Sequence, residues 1–366
     1  MRGLGNIVGR ITAARRALEE ASGATGSGAL EEITGFGSNP GNLVARSFVP
    51  DDLAEGAPLV VVLHGCTQNA ALYDRGSGWS ELAAREGFAL LYPEQQRSNN
   101  PNLCFNWYQP GDAARGRGEA LSISRMIAHM VAEHGLDPSR VFVTGLSAGG
   151  AMASVMLATY PEMFAGGAVI AGLPFASAKS LPQALERMRG QGAPSRRSLA
   201  SRARAAADHS GPLPTLSVWH GTQDSIVDPS NAGALVDQWH DLHGLDGSDG
   251  MVEQVGQHRR QVWRDSHGRA VIERYDIQGM GHGTPLATRG EGAVGVAGPH
   301  MLEVGIDSTR RTAEFWGLST GARPAKTVST KRVAPIAAKT RPMVSANDHG
   351  PAKIIEDALR AAGLMR

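Results

Sequence analysis

Val141-Phe-Val-Thr-Gly-Leu-Ser-Ala-Gly-Gly150 opens as a short apolar run, closes on glycines and leads into the small and apolar Ala151-Met-Ala-Ser-Val-Met-Leu157. A buried strand, a tight turn and a helix in that order place Ser147 at the tip of the turn. The turn leaves no room for side chains beside the serine, so glycine is required at 145 and 149, and the hydroxyl stands clear of the sheet. Ser147 is therefore the candidate nucleophile. With 46 glycines in 366 residues, the bare Gly-x-Ser-x-Gly pattern carries little weight, and Gly317-Leu-Ser319-Thr-Gly321 matches it as well. Context separates the two, because Ser319 follows a helical stretch and leads into Ala-Arg-Pro-Ala-Lys, which favours neither strand nor helix.

Around this stretch the chain alternates strand and helix. Pro58-Leu-Val-Val-Val-Leu63 is an unbroken apolar run of the kind that is covered on both faces. Trp79 to Glu86 is helical, Phe88 to Tyr92 extended, and Glu119 to His134 an amphipathic helix through Leu121, Ile123, Met126, Ile127, Met130 and Val131, stopped by Gly135. Ala168-Val-Ile-Ala171, Thr215 to Trp219 and Val271 to Ile277 read as further strands. Strands alternating with helices imply an α/β fold whose central sheet is mostly parallel, with helices on both faces. Residues 174–214 break the rhythm with short helical pieces and the basic Arg196 to Arg204, and are expected to form a small cap or lid.

Position in the order selects the remaining candidates. His64-Gly-Cys-Thr-Gln68 follows the second strand, where a backbone N–H of Cys66 or Thr67 would join that of Ala148 in binding an oxyanion. His64 is expected to hold its loop. His220-Gly-Thr-Gln-Asp224 follows a late strand, the place for a carboxylate that orients a histidine, with Asp228 as its competitor. His282 lies between glycines on the loop after Ile277, with His300 as runner-up. Ser147, Asp224 and His282 then run in the chain order of an α/β-hydrolase triad. Leu103-Cys-Phe-Asn-Trp107 offers aromatics beside this region, for a pocket or for packing.

Composition bounds the rest. A chain that is 42% hydrophobic can bury one large core, and a net charge of +1 gives no general case for nucleic acid. No apolar run approaches the ~18 residues that a membrane-spanning helix needs. Residues 1–34 read as an N-terminal helix with an Ile7, Ile11, Ala14, Leu18 stripe and a flexible linker, and 35–317 as the catalytic domain. Residues 318–366 read as a basic flexible tail ending in a short helix. No secretory leader is legible at the N-terminus, which leaves a cytoplasmic protein as one of the two settings open. Cys66 and Cys104 are two free thiols or one disulfide.

Leu63-His-Gly-Cys-Thr-Gln68, Cys104-Phe-Asn-Trp107, Gly118-Glu-Ala-Leu-Ser-Ile123, Gly145 to Gly150, Trp219-His-Gly-Thr-Gln-Asp224 and Gly279-Met-Gly-His282 together resemble the polyhydroxybutyrate depolymerase family of esterases, relatives of feruloyl and acetylxylan esterases. The likeness spans roughly residues 35 to 317, and motifs in a shared order are far more specific than any one alone. It implies an α/β-hydrolase fold, hydrolysis of carboxylic esters through Ser147, Asp224 and His282, and no metal or organic cofactor. It also implies Cys66 and Ala148 as oxyanion donors, a Cys66–Cys104 disulfide, Trp107 in the substrate crevice with Thr67 and Trp219 as further substrate contacts, and an extracellular setting. The substrate expected first is a poly-3-hydroxybutyrate chain or oligomer, and second a feruloyl or acetyl ester on polysaccharide. A different class, a non-catalytic protein bound to polymer granules, would use the tail and leave the triad idle.

Overall fold

The protein is described by a computed structural model, over residues 30–245 and 249–319. Among these residues the strands are β1 (Glu31–Ile33), β2 (Val44–Phe48), β3 (Leu59–Leu63), β4 (Ala89–Glu94), β5 (Val141–Leu146), β6 (Gly166–Ile170), β7 (Thr215–Gly221), β8 (Met251–Val255), β9 (His258–Arg264), β10 (Ala270–Ile277), β11 (Thr284–Leu286) and β12 (Met301–Glu303). The α-helices are α1 (Ala70–Ser77), α2 (Trp79–Glu86), α3 (Gly118–Glu133), α4 (Ala148–Thr159), α5 (Leu181–Met188), α6 (Arg196–Arg204), α7 (Ser230–Leu242) and α8 (Ser308–Phe315).

One sheet of ten strands organises them, in the order β1-β2-β4-β3-β5-β6-β7-β10-β9-β8. Every pairing from β4 through β10 is parallel. Antiparallel pairs finish both sides, β1 and β2 at one and β9 and β8 at the other. Parallel strands need covering on both faces, and the alternation along β3 shows how this is done. Leu59, Val61 and Leu63 enter one core with Met126 and Ile127 of α3, Met152 and Met156 of α4, and Leu235 and Trp239 of α7. Val60 and Val62 enter the other with Tyr73 of α1, Trp79 and Leu82 of α2, and Ala313 of α8. Each fully buried Leu or Val side chain contributes about 1.5–3 kcal/mol. Because the central strands run the same way, their carboxyl ends share one edge, and the loops carrying the candidate residues leave from it.

Two boundaries differ from the reading of the sequence. Glu31–Ile33 lies in the stretch assigned to a linker, yet it forms β1, paired with Ser47 to Ala45 of β2. Its polar composition hides an edge strand that needs only one partner. The stretch 174–214 is built into a helical layer: Ala184 of α5 and Ala203 of α6 enter the first core. The Gln238 amide of α7 donates to the Phe175 and Leu199 carbonyls at 3.1 and 2.9 Å. The N-terminal helix, the basic tail and the C-terminal helix fall outside the described residues. Among the described residues no helix is long and apolar enough to cross a membrane.

Candidate functional site

Ser147 sits between β5 and α4 with φ 56° and ψ −117°. An L-residue rarely adopts positive φ, and holding it there costs about 1–3 kcal/mol. The turn is locked from both sides: the Ser147 N–H donates to the Ile170 carbonyl at 2.9 Å, and its carbonyl accepts from Ala151 at 2.8 Å. The Ala148 N–H lies at the N-terminus of α4, where backbone donors have no partner within the helix. The second match, Ser319, follows α8 rather than a strand.

Gly149 brings this turn against the end of β3, since a Cβ there would lie 2.2 Å from the Leu63 oxygen and 2.5 Å from the His64 oxygen. The loop beyond β3 is a tight turn in which Gly65 N–H donates to Gln68 Oε1 at 2.9 Å. Cys66 is bonded to Cys104. Thr67 is held at φ 64° and its N–H donates to the Asn102 carbonyl at 2.7 Å. That bond commits the Thr67 N–H, while the Thr67 side chain is exposed. His64 is buried, with Nδ1–H donating to the Gly65 carbonyl at 2.8 Å and Nε2 accepting from Gln95 N–H at 3.1 Å. Burial lowers its pKa, so the ring stays neutral and holds the loop, as its position suggested.

On the same edge, the loops after β7 and β10 are stitched together. Gln223 N–H donates to the Met280 carbonyl at 2.9 Å, and Gly279 N–H to Thr222 Oγ1 at 2.9 Å. A Cβ on Gly221 would lie 2.2 Å from the Met280 oxygen, so the approach needs glycine. Asp224 and His282 meet across this seam, with His282 Nδ1 at 2.7 Å from Asp224 Oδ2. The other oxygen, Oδ1, accepts from Ile226 and Val227 N–H, both at 2.9 Å. Burial by itself would raise the pKa of Asp224, but the hydrogen bonds from His220 and His282 outweigh it and hold the carboxyl well below its usual range. An ionised Asp224 can only accept, so Nδ1 of His282 carries the proton and Nε2 is left as a base.

The competitors resolve by their contacts. Asp228 accepts from Ser230 N–H at 2.9 Å, at the start of α7. His300 places Nδ1 3.1 Å from the His282 carbonyl, its ring edge-on at 5.7 Å, and so supports the loop rather than bonding to Asp224. Trp107 is 6% exposed and packs edge-to-face on Tyr108, three residues past the disulfide. Trp219, expected to contact substrate, is instead a core residue. It is fully buried, stacked 3.7 Å from Tyr275, and donates through Nε1 to Ser217 Oγ at 2.8 Å. Side chains alternate along a strand, and nothing in the local sequence says which face position 219 takes.

The sequence reading passed over two buried groups. Glu119, at the start of α3, accepts from Asn106 N–H at 2.8 Å and Gln95 Nε2 at 2.6 Å, tying down the segment between the disulfide and Trp107. Burial pushes its carboxyl up to about 8. His220, at the end of β7, places Nε2 3.3 Å from Asp224 Oδ2. Both stand inside quoted motifs, but a lone Glu or His carries no pattern that distinguishes it from a surface residue. Among the described residues no group of three or more His, Cys, Asp or Glu is arranged to hold a metal ion.

Parallel sheet and serine turn together place the protein among the α/β-hydrolases. Comparison with known proteins narrows this: the Esterase PHB depolymerase family matches residues 44–264, and the chain belongs to it. Poly(3-hydroxyalkanoate) depolymerase C of Paucimonas lemoignei is 44% identical over 292 residues, covering 79% of this chain and 70% of its own. Acetylxylan esterase A of Aspergillus oryzae is 35% identical over 225 residues, covering 60% of this chain and 72% of its own. The acetyl xylan esterase structure from Aspergillus awamori superposes with a TM-score of 0.68 at 27% identity, covering 80% of this chain and all of that one. The protein is a carboxylic-ester hydrolase with the α/β-hydrolase fold.

Proposed function

We propose that the chain hydrolyses its ester through an acyl-enzyme formed on Ser147. The observation that carries this reading is the 2.7 Å bond from His282 to a buried, ionised Asp224, on the sheet edge that also bears the strained serine turn. His282 Nε2 takes the Ser147 proton as Oγ attacks the ester carbonyl, then returns a proton to the departing alkoxide. Asp224 keeps the tautomer and stabilises the imidazolium. The N–H groups of Cys66 and Ala148 receive the oxyanion, each worth about 3 kcal/mol of barrier. Water then repeats the cycle on the acyl-enzyme.

The substrate is a hydroxyalkanoate polyester or its oligomers, a choice supported by the 44% identity to a named poly(3-hydroxyalkanoate) depolymerase. Thr67, exposed beside the oxyanion loop, and Trp107 are the proposed substrate contacts. Acetyl or feruloyl esters of polysaccharide form the second reading, supported by the 35% identity to an acetylxylan esterase. The Cys66–Cys104 disulfide favours an oxidising, extracellular setting. Release of soluble hydroxybutyrate from an amorphous poly-3-hydroxybutyrate suspension tests the assignment, with wild type compared to Ser147→Ala. Release by wild type alone is expected. Equal release by both would refute Ser147, and hydrolysis of acetylxylan or methyl ferulate, with no hydroxybutyrate from the polyester, would reverse the substrate order.

A further inference from the structure

Two imidazoles converge on the Asp224 carboxylate. Besides His282 Nδ1 at 2.7 Å, Oδ2 has His220 Nε2 at 3.3 Å, and both His220 and Asp224 side chains are shut off from solvent. His220 Nε2 also lies 2.8 Å from the Val227 carbonyl. A carbonyl only accepts, so Nε2 must carry the proton; its short hydrogen bond goes to the carbonyl, and the carboxylate oxygen is its second, longer contact. In the neutral ring Nδ1 is then a bare acceptor. It is buried and has no hydrogen-bond partner among the described residues.

An orphaned buried acceptor destabilises a fold, and a leucine of similar size would remove the cost. Packing alone therefore does not account for a histidine at the end of β7. Its protonated nitrogen does: with Ile226 and Val227 N–H on Oδ1, it completes a set of donors that fixes the plane of the carboxylate. We propose that His220 is a positioning residue for the Asp224–His282 pair, holding Oδ2 in line with Nδ1 of His282. This rests on the triad reading above. A second donor on Oδ2 leaves one lone-pair direction open, and it faces His282.

His220 is among the residues that line a cavity of about 470 Å³, together with Thr222, Arg259, Arg274, Asp276 and Gln278. Truncation at 220 would thus open a space that a small molecule can enter. That gives the proposal a readout a merely structural role would not move.

The test uses the full chain and a soluble p-nitrophenyl ester, with His220→Leu, His220→Gln and His220→Ala assayed beside Ser147→Ala. His220→Leu is expected to lower kcat about 10- to 100-fold, the size of one charge-assisted hydrogen bond, with KM within about twofold of wild type. His220→Gln, whose amide N–H2 reaches the same position, should keep kcat within about threefold, and added imidazole should raise the rate of His220→Ala several-fold. Wild-type kcat in His220→Leu, with Ser147→Ala inactive, overturns this proposal alone. So does a loss in His220→Leu that neither glutamine nor imidazole restores. Full activity in Ser147→Ala overturns the triad and this proposal with it.

Discussion

Replacing Gly149 by alanine should disable the proposed oxyanion site without unfolding the protein. The added Cβ would lie 2.2 Å from the Leu63 oxygen, 2.5 Å from the His64 oxygen and 2.7 Å from the Leu63 carbonyl carbon. Ordinary contacts of this kind need about 3.5 Å, so roughly 1 Å of displacement is required. All three atoms are backbone at the end of β3, and Leu63 is paired with Gly145 of β5. No side chain can swing away. The first turn of α4 must move off β3, which separates the Ala148 N–H from that of Cys66. Forcing extra volume into a packed site costs about 1–3 kcal/mol, and a chain of this size loses about 2–4 °C in Tm per kcal/mol, hence a fall of about 2–12 °C. A misplacement of about 1 Å at the reacting centre costs on the order of a hundredfold in rate. Steady-state kinetics on a soluble p-nitrophenyl ester and a thermal melt measure both quantities. A variant that keeps wild-type kcat would refute the placement of the oxyanion donors, and one that also keeps wild-type Tm would refute the close approach itself.

Asp224→Asn should cut kcat by about 10³- to 10⁴-fold by losing the charge and tautomer control on His282, whereas Asp228→Asn, at the start of α7, should stay within about threefold; equal losses in the two kinetic assays would show the carboxylate to be wrongly assigned. Opening the Cys66–Cys104 bridge, which spans 38 residues, should remove up to about 4 kcal/mol of stability and reduce kcat through the oxyanion loop. Melts and rates of the double serine variant, and of wild type with and without reductant, measure this, and an unchanged melt would argue against a constrained loop. Glu119 is pushed by burial from its ordinary 4.5 up to about 8, so the folded protein keeps a proton that the unfolded chain releases. Stability should therefore fall as pH rises from about 4.5 to about 8 and level off above it, and Glu119→Gln should flatten that slope in urea unfolding; the same slope in both proteins would place the effect elsewhere.

Much of the fold could be read locally. The runs that became β3, β5 and β6 are largely apolar and buried without interruption because both of their faces are covered, and α3 shows a clean helical stripe because only one of its faces is. The serine turn announces itself because a tight turn between strand and helix needs glycines at fixed offsets. Chain order alone then placed Asp224 and His282 on loops at one edge. The margin of the sheet formed by β8 and β9 was not legible. Met251–Val255 and His258–Arg264 are rich in Glu, Gln and Arg, and they are strands because they extend β10 antiparallel, a pairing settled at long range.

What the sequence determined by itself was therefore the parallel core, the serine turn and the order of the candidate residues, since each follows from periodicity or backbone sterics within about ten residues. Tertiary structure decided the rest. It buried Trp219 against Tyr275, gave the Thr67 N–H to Asn102, joined Cys66 to Cys104 and set His220 against Asp224. Each of these depends on which distant group meets which across a packed interface. Hydrogen bonding and burial carry that information only after the chain has closed on itself, because the same side chain is a ligand contact on one face of a strand and core on the other.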